Sequence, residues 1–113
     1  MSNMEISMAY PASKFEADNT LTNPVVLEKY QLAADIVNGV LPIVVSKVET
    51  GISVCDLCQF GDDLLTAYTE KMYKNSERGI AVPTCVSVNN LVQYFSPLAE
   101  NDINLKPGDV VKM

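Results

Sequence analysis

A chain of 113 residues fits one domain of ordinary size and is long enough to bury a core. Its 48% apolar and 19% charged residues argue against intrinsic disorder, and its apolar runs, such as Val40-Leu41-Pro42-Ile43-Val44-Val45, fall far short of the ~20 residues that span a bilayer. The net charge of −6 argues against an autonomous nucleic-acid-binding surface, and the lack of any histidine removes the commonest metal ligand and general base.

Residues 1–22 mix methionine, serine, alanine and acid without sustained periodicity and read as a flexible N-terminal arm. No basic region followed by an apolar run marks a signal peptide, and three cysteines without such a signal suit a reduced intracellular compartment. At Asn23-Pro24 asparagine suits a helix cap and proline a first turn. Val26, Tyr30, Ala33, Val37, Val40, Leu41, Val44 and Val48 then recur at steps that place them on one helical face, predicting a helix from Asn23 to Glu49. Pro42 should kink it and Gly51 should end it.

A second helix is predicted from Ser53 to Lys74. Ser53 and Asp56 approximate a capping box, and Leu57, Phe60, Leu64, Tyr68 and Met72 form the buried stripe. Residues 75–79 read as a loop. From Gly79 the period shortens towards two, and Ile80, Val82, Val86, Val88, Val92 and Phe95 predict two short strands around Asn89-Asn90. Lys106-Pro107-Gly108-Asp109 is a turn into a last strand, Val110 to Met113, whose sheet neighbours are expected to come from elsewhere. An unpaired strand of this kind favours self-association through its open edge. The fold class is α+β.

Cys55-Asp56-Leu57-Cys58 is a C-x-x-C spacing, readable as a redox pair, half a zinc site, or two packing residues at a helix start. Only Cys85 remains to add a thiol ligand, and zinc needs about four ligands. Asp62 and Asp63 are adjacent, so on a helix they diverge and read as a solvated face. Gly61 reads as a close-approach packing site. Lys71, Lys74 and Arg78 are the candidate phosphate contacts, with helix-dipole stabilisation as the competing reading. No serine has a base beside it, so the residues carry no recognisable catalytic site, no metal site and no cofactor site.

One stretch is more specific. Gly79-Ile80-Ala81-Val82-Pro83-Thr84-Cys85-Val86-Ser87-Val88-Asn89-Asn90, followed by Tyr94-Phe95-Ser96-Pro97, is similar to the strand region shared by type II methionine aminopeptidases and the proliferation-associated (ErbB-3-binding) proteins. Lys29-Tyr30, Gly51-Ile52-Ser53-Val54, Leu57-Cys58, Gly61-Asp62 and Lys106-Pro107-Gly108-Asp109-Val110-Val111-Lys112 extend the resemblance to the latter, non-peptidase proteins over residues 23–113. The resemblance implies that 23–113 is the N-terminal part of a pita-bread domain, truncated here. It implies a non-enzymatic protein that binds RNA, ribosomal particles or regulatory protein partners in the cytoplasm, nucleus and nucleolus, with no membrane association. The pocket histidine that precedes the aromatic-Ser/Thr-Pro motif in the peptidases is replaced by Tyr94, a vestigial pocket position. The family's metal ligands map to no residue of this chain. The alternative implied is a fragment of a metal-dependent methionine aminopeptidase.

Overall fold

Asn23 does open a helix. In the computed structural model, which describes residues 20–75 and 77–113, the Asn23 side-chain oxygen accepts from the Val25 amide at 3.0 Å, and helix α1 runs Pro24–Ser46. The expected N-terminal arm lies, through residue 19, outside the described residues. The chain divides into two compact units, Met1–Asp35 and Ile36–Met113. In the first, Val26 is buried while Tyr30 and Ala33 are exposed.

Everything else belongs to the second unit. Helix α1 continues as one element through Pro42 and stops before the expected Glu49. The Ser46 hydroxyl donates to the Ile43 carbonyl at 2.5 Å, and the Lys47 and Val48 amides reach back only three residues, to Val44 and Val45. These short-range bonds tighten and close the last turn. Gly51 is therefore not the terminator. Its φ of 93° turns the chain toward the next helix, and its amide donates to the Leu105 carbonyl at 2.7 Å.

The inward face of α1 differs from the expected one. Val40 and Val44 are buried and Ile36 and Val48 pack against them, whereas Val37 and Leu41 are exposed. The apolar arc of the helix is wider than the strip its own chain covers. Periodicity locates the arc but cannot say which half is buried.

Helix α2 (Val54–Thr69) begins where predicted, with Ser53 as its N-cap. It ends five residues earlier than expected. The Thr69 hydroxyl bonds back to the Thr66 carbonyl at 3.1 Å, and Tyr73 has a φ of 47°, which no helix tolerates. Tyr68 is consequently an exposed end residue and Met72 lies beyond the helix. Leu57, Phe60 and Leu64 do face the core.

Regular β-structure is sparse. Strand β1 (Ser87–Val88) pairs antiparallel with β2 (Val111–Lys112), Ser87 opposite Lys112 and Val88 opposite Val111. The last strand thus has a partner inside the chain, contrary to the expectation that it stands unpaired. Of the two strands predicted around Asn89-Asn90 only the first forms. Val86 still donates to the Phe95 carbonyl at 2.8 Å, but Tyr94 has a φ of 63°, which bends the returning segment out of extended geometry. A 3-10 turn, Ala99–Asn101, follows. The core of this unit gathers Val40 and Val44 of α1, Val54, Leu57 and Cys58 of α2, Val86 and Val88 around β1, and Leu105.

Candidate functional site

The most elaborate polar arrangement surrounds the start of α2. The Asp102 carboxylate accepts from the Ser53 hydroxyl, from the Cys55 amide at 2.8 Å and from its neighbouring Ile103 amide at 2.8 Å. Ser53 accepts from the Asp56 amide at 3.1 Å, and the Val54 amide donates to the Ile103 carbonyl at 2.9 Å. The first three helical amides are thus all satisfied, with an anion at the positive end of the helix dipole. Partial burial opposes ionisation of Asp102, but the Ser53 hydroxyl and the Cys55 and Ile103 amides outweigh it and hold the carboxyl below its ordinary range. The Leu105 amide also donates to the Ile52 carbonyl at 2.9 Å, so residues 51–54 and 103–105 lie as a short antiparallel ladder around the Ser53–Asn104 bridge. The arrangement is a built helix cap.

A carboxyl depressed in the folded chain stabilises it above the unfolded group's pKa, and that contribution is lost as pH falls through the folded value. Asp102→Asn, which removes the charge at the helix N-terminus, is therefore expected to lower stability by about 0.3–1 kcal/mol at neutral pH. It should also flatten the decline in stability on acidification below about pH 4, the ordinary aspartate range. Urea unfolding across a pH series checks both. An unchanged acid limb would refute the assignment.

A second polar node ties β1 to the turn before β2. Asn89, with a φ of 53°, accepts from the Val110 amide at 2.9 Å and donates from its side chain to Asp109 at 2.9 Å. The Lys106 amide donates to the other Asp109 oxygen at 2.8 Å. These two donors, the Asn89 amide group first, hold the Asp109 carboxyl below its ordinary range. Lys112 reaches the Asn89 carbonyl at 2.5 Å. Asparagine tolerates left-handed backbone, which explains its use at this turn.

The cysteines are all free. Cys58 lies in the core, and burial pushes its thiol up, with the nearby Asp62 and Cys85 acting in the same direction. Cys55 and Cys85 are half-buried, and the Cys85 thiol donates to the Pro83 carbonyl at 3.3 Å. No group of three potential metal ligands gathers among the described residues.

Asp62 is not part of a solvated face. It is half-buried and accepts from the Thr84 amide at 2.7 Å, while Asp63 is exposed and accepts from Gln59 at 2.8 Å. The two carboxylates diverge, as adjacent helical positions must. Asp62 was missed because its partner lies 22 residues away and leaves no local pattern.

Lys71, Lys74 and Arg78 are exposed and follow the end of α2, so none sits in its last turn. The Lys71 ammonium lies 5.7 Å from the Tyr68 ring centroid, and Arg78 Nη1 donates to the Lys74 carbonyl at 2.9 Å. Arg78 also lines a shallow open depression with Glu77 and Gly79 to Ala81. Tyr94 is 76% exposed.

Comparison with known proteins supplies what geometry does not. Over 96 residues, 82% of the chain, the sequence is 51% identical to proliferation-associated protein A of Dictyostelium discoideum. Over 102 residues, 87% of the chain, it is 45% identical to ERBB-3 binding protein 1 of Arabidopsis thaliana. The chain belongs to the proliferation-associated family. A family relative at greater distance, 34% identical over 94 residues and 75% of the chain, is the Schizosaccharomyces pombe protein named probable metalloprotease arx1. The chain spans about a quarter of the length of these relatives, 25%, 26% and 22% respectively. No family model matches it. No helix of the described residues is long and apolar enough to cross a membrane.

Proposed function

We propose that residues 23–113 form part of a pita-bread, aminopeptidase-like domain in a proliferation-associated protein that acts by binding and catalyses nothing. The observation that carries this reading is the 51% identity to a relative named for proliferation association, joined to a chain without histidine in which the family resemblance puts Tyr94 at the peptidase pocket position. The partners are regulatory proteins, in keeping with the ERBB-3 binding name of the plant relative, and RNA or ribosomal particles, in keeping with the family resemblance. The place of action is the cytoplasm, nucleus and nucleolus. Among the described residues strand β2 pairs only with β1, and its other edge suits pairing with a further strand or with another copy.

Lys71, Lys74 and Arg78 are the phosphate contacts in this reading. They can neutralise few phosphates against a net charge of −6, so this segment contributes weak, salt-sensitive RNA affinity. Fluorescence anisotropy with a structured RNA at two salt concentrations tests it. The slope of log K on log salt should be no steeper than about −3, and Lys71→Ala with Lys74→Ala should abolish most of the binding. Tight binding that survives high salt and both substitutions would refute the assignment.

A second reading, a fragment of a metal-dependent hydrolase, is favoured by the metalloprotease name of the arx1 relative. Stoichiometric metal in a family-length protein carrying this segment, with peptidase activity, would decide for it.

A further inference from the structure

Helix α1 carries two apolar ridges side by side within the second unit. Ile36, Val40 and Val44 repeat every four residues and face the core. Val37, Leu41 and Val45 repeat with the same step, one residue on and so about 100° around the helix, and are 51%, 43% and 52% exposed. From Ile36 to Ser46 the helix has no charged residue at all. A helix with one face in water carries charge on that face, whereas one that is apolar nearly all round is covered on more than one side. Helix α2 shows the contrast, with Asp56, Gln59 and Asp63 on its exposed face.

The two relatives at 51% and 45% identity each match over about a quarter of their length, so each has roughly three further quarters of polypeptide with which to cover such a ridge. A second copy is a poorer occupant, because pairing would bring together two chains of charge −6. We infer that the Val37–Leu41–Val45 ridge is the seat of an apolar face contributed by the remaining three-quarters of a family-length domain. The inference rests on the proposed partial-domain reading and adds to it the contact surface.

The test compares one substitution in two settings. In the first, the chain is used by itself. In the second, it replaces the matched stretch of the full-length Dictyostelium relative, giving a chimera of family length. Leu41→Asp introduces a charge at a position that is exposed in the chain alone and covered in the chimera. The expected result is a chimera that melts cooperatively, loses about 5–10 °C in Tm with Leu41→Asp and about half that with Leu41→Ala, while the chain alone shifts by no more than about 2 °C. A folded chimera indifferent to Leu41→Asp and Leu41→Ala would overturn the contact surface and leave the partial-domain reading standing. A chimera that fails to fold where its parent folds would overturn the partial-domain reading and the surface with it. A dimer of the chain alone in sedimentation, returned to monomer by Leu41→Asp, would assign the ridge to a second copy and overturn the proposal.

Discussion

Leu57→Ala is expected to lower the unfolding free energy by about 2–5 kcal/mol, a large part of what holds a domain of this size together. Leu57 is 1% exposed and belongs to the cluster with Val40, Val44, Val54, Val86 and Leu105, drawn from both helices, β1's approach and the segment before β2. Truncation removes its transfer free energy and leaves a cavity whose walls come from four separate segments, which limits collapse. Leu41→Ala in the same chain removes the same atoms from an exposed position and should cost less than about 1 kcal/mol. Urea denaturation of both variants makes the comparison, read as midpoints at an unchanged slope. Equal costs at the two positions would mean that the core is not where the structure places it.

Gly61→Ala is the second large effect, and its sign opposes local propensity. Alanine in place of a helical glycine ordinarily gains about 1 kcal/mol. Here an added Cβ would lie 2.6 Å from Thr84 Oγ1 and 2.9 Å from its Cγ2, with Thr84 Cβ itself at 3.2 Å. A threonine side chain is too short and too stiff to swing away. Either α2 or the Thr84 backbone, held by its amide on Asp62, has to move. The expected net result is a loss of about 1–2 kcal/mol after the propensity gain is subtracted, and a larger loss for Gly61→Val. Thr84→Ala should rescue Gly61→Ala, because it removes the two closest crowding atoms together with a buried hydroxyl oxygen that has no hydrogen-bond partner among the described residues. A double-mutant cycle measured by chemical unfolding should give a coupling of at least about 1 kcal/mol. Additive single effects would show that the two residues do not meet.

The start of α2 was legible because its signals are local: Ser53 and Asp56 are three residues apart, and the Leu57, Phe60 and Leu64 stripe keeps one period. The Gly61 packing role was legible as an isolated glycine inside a helix. The inward face of α1 was not, because Val37, Leu41 and Val45 are as apolar as Ile36, Val40 and Val44, and only tertiary packing distinguishes them. The strands were overestimated since a period near two persists through Val92 and Phe95 although Tyr94 adopts positive φ. Asp102 went unnoticed as a cap because it belongs to a helix 47 residues upstream. Of the candidate site residues, none announced a chemistry that geometry then assembled. The family signature, carried by short strings of residues, was more readable than any site.

The distance between Asp102 and the helix it caps also bears on synthesis. Helix α2 leaves the ribosome before the carboxylate that completes its first turn, with 47 residues separating Cys55 from Asp102. At roughly 5–20 residues per second, that interval lasts about 2–9 s. Throughout it the nascent helix has Ser53 as its cap, while the amides that later turn to Asp102 and Ile103 are left to water. The start of α2 is thus a late-maturing end of an early-made helix, and a chaperone that masks apolar stretches would meet Leu57 and Cys58 before Val86, Val88 and Leu105 of the same core have been made.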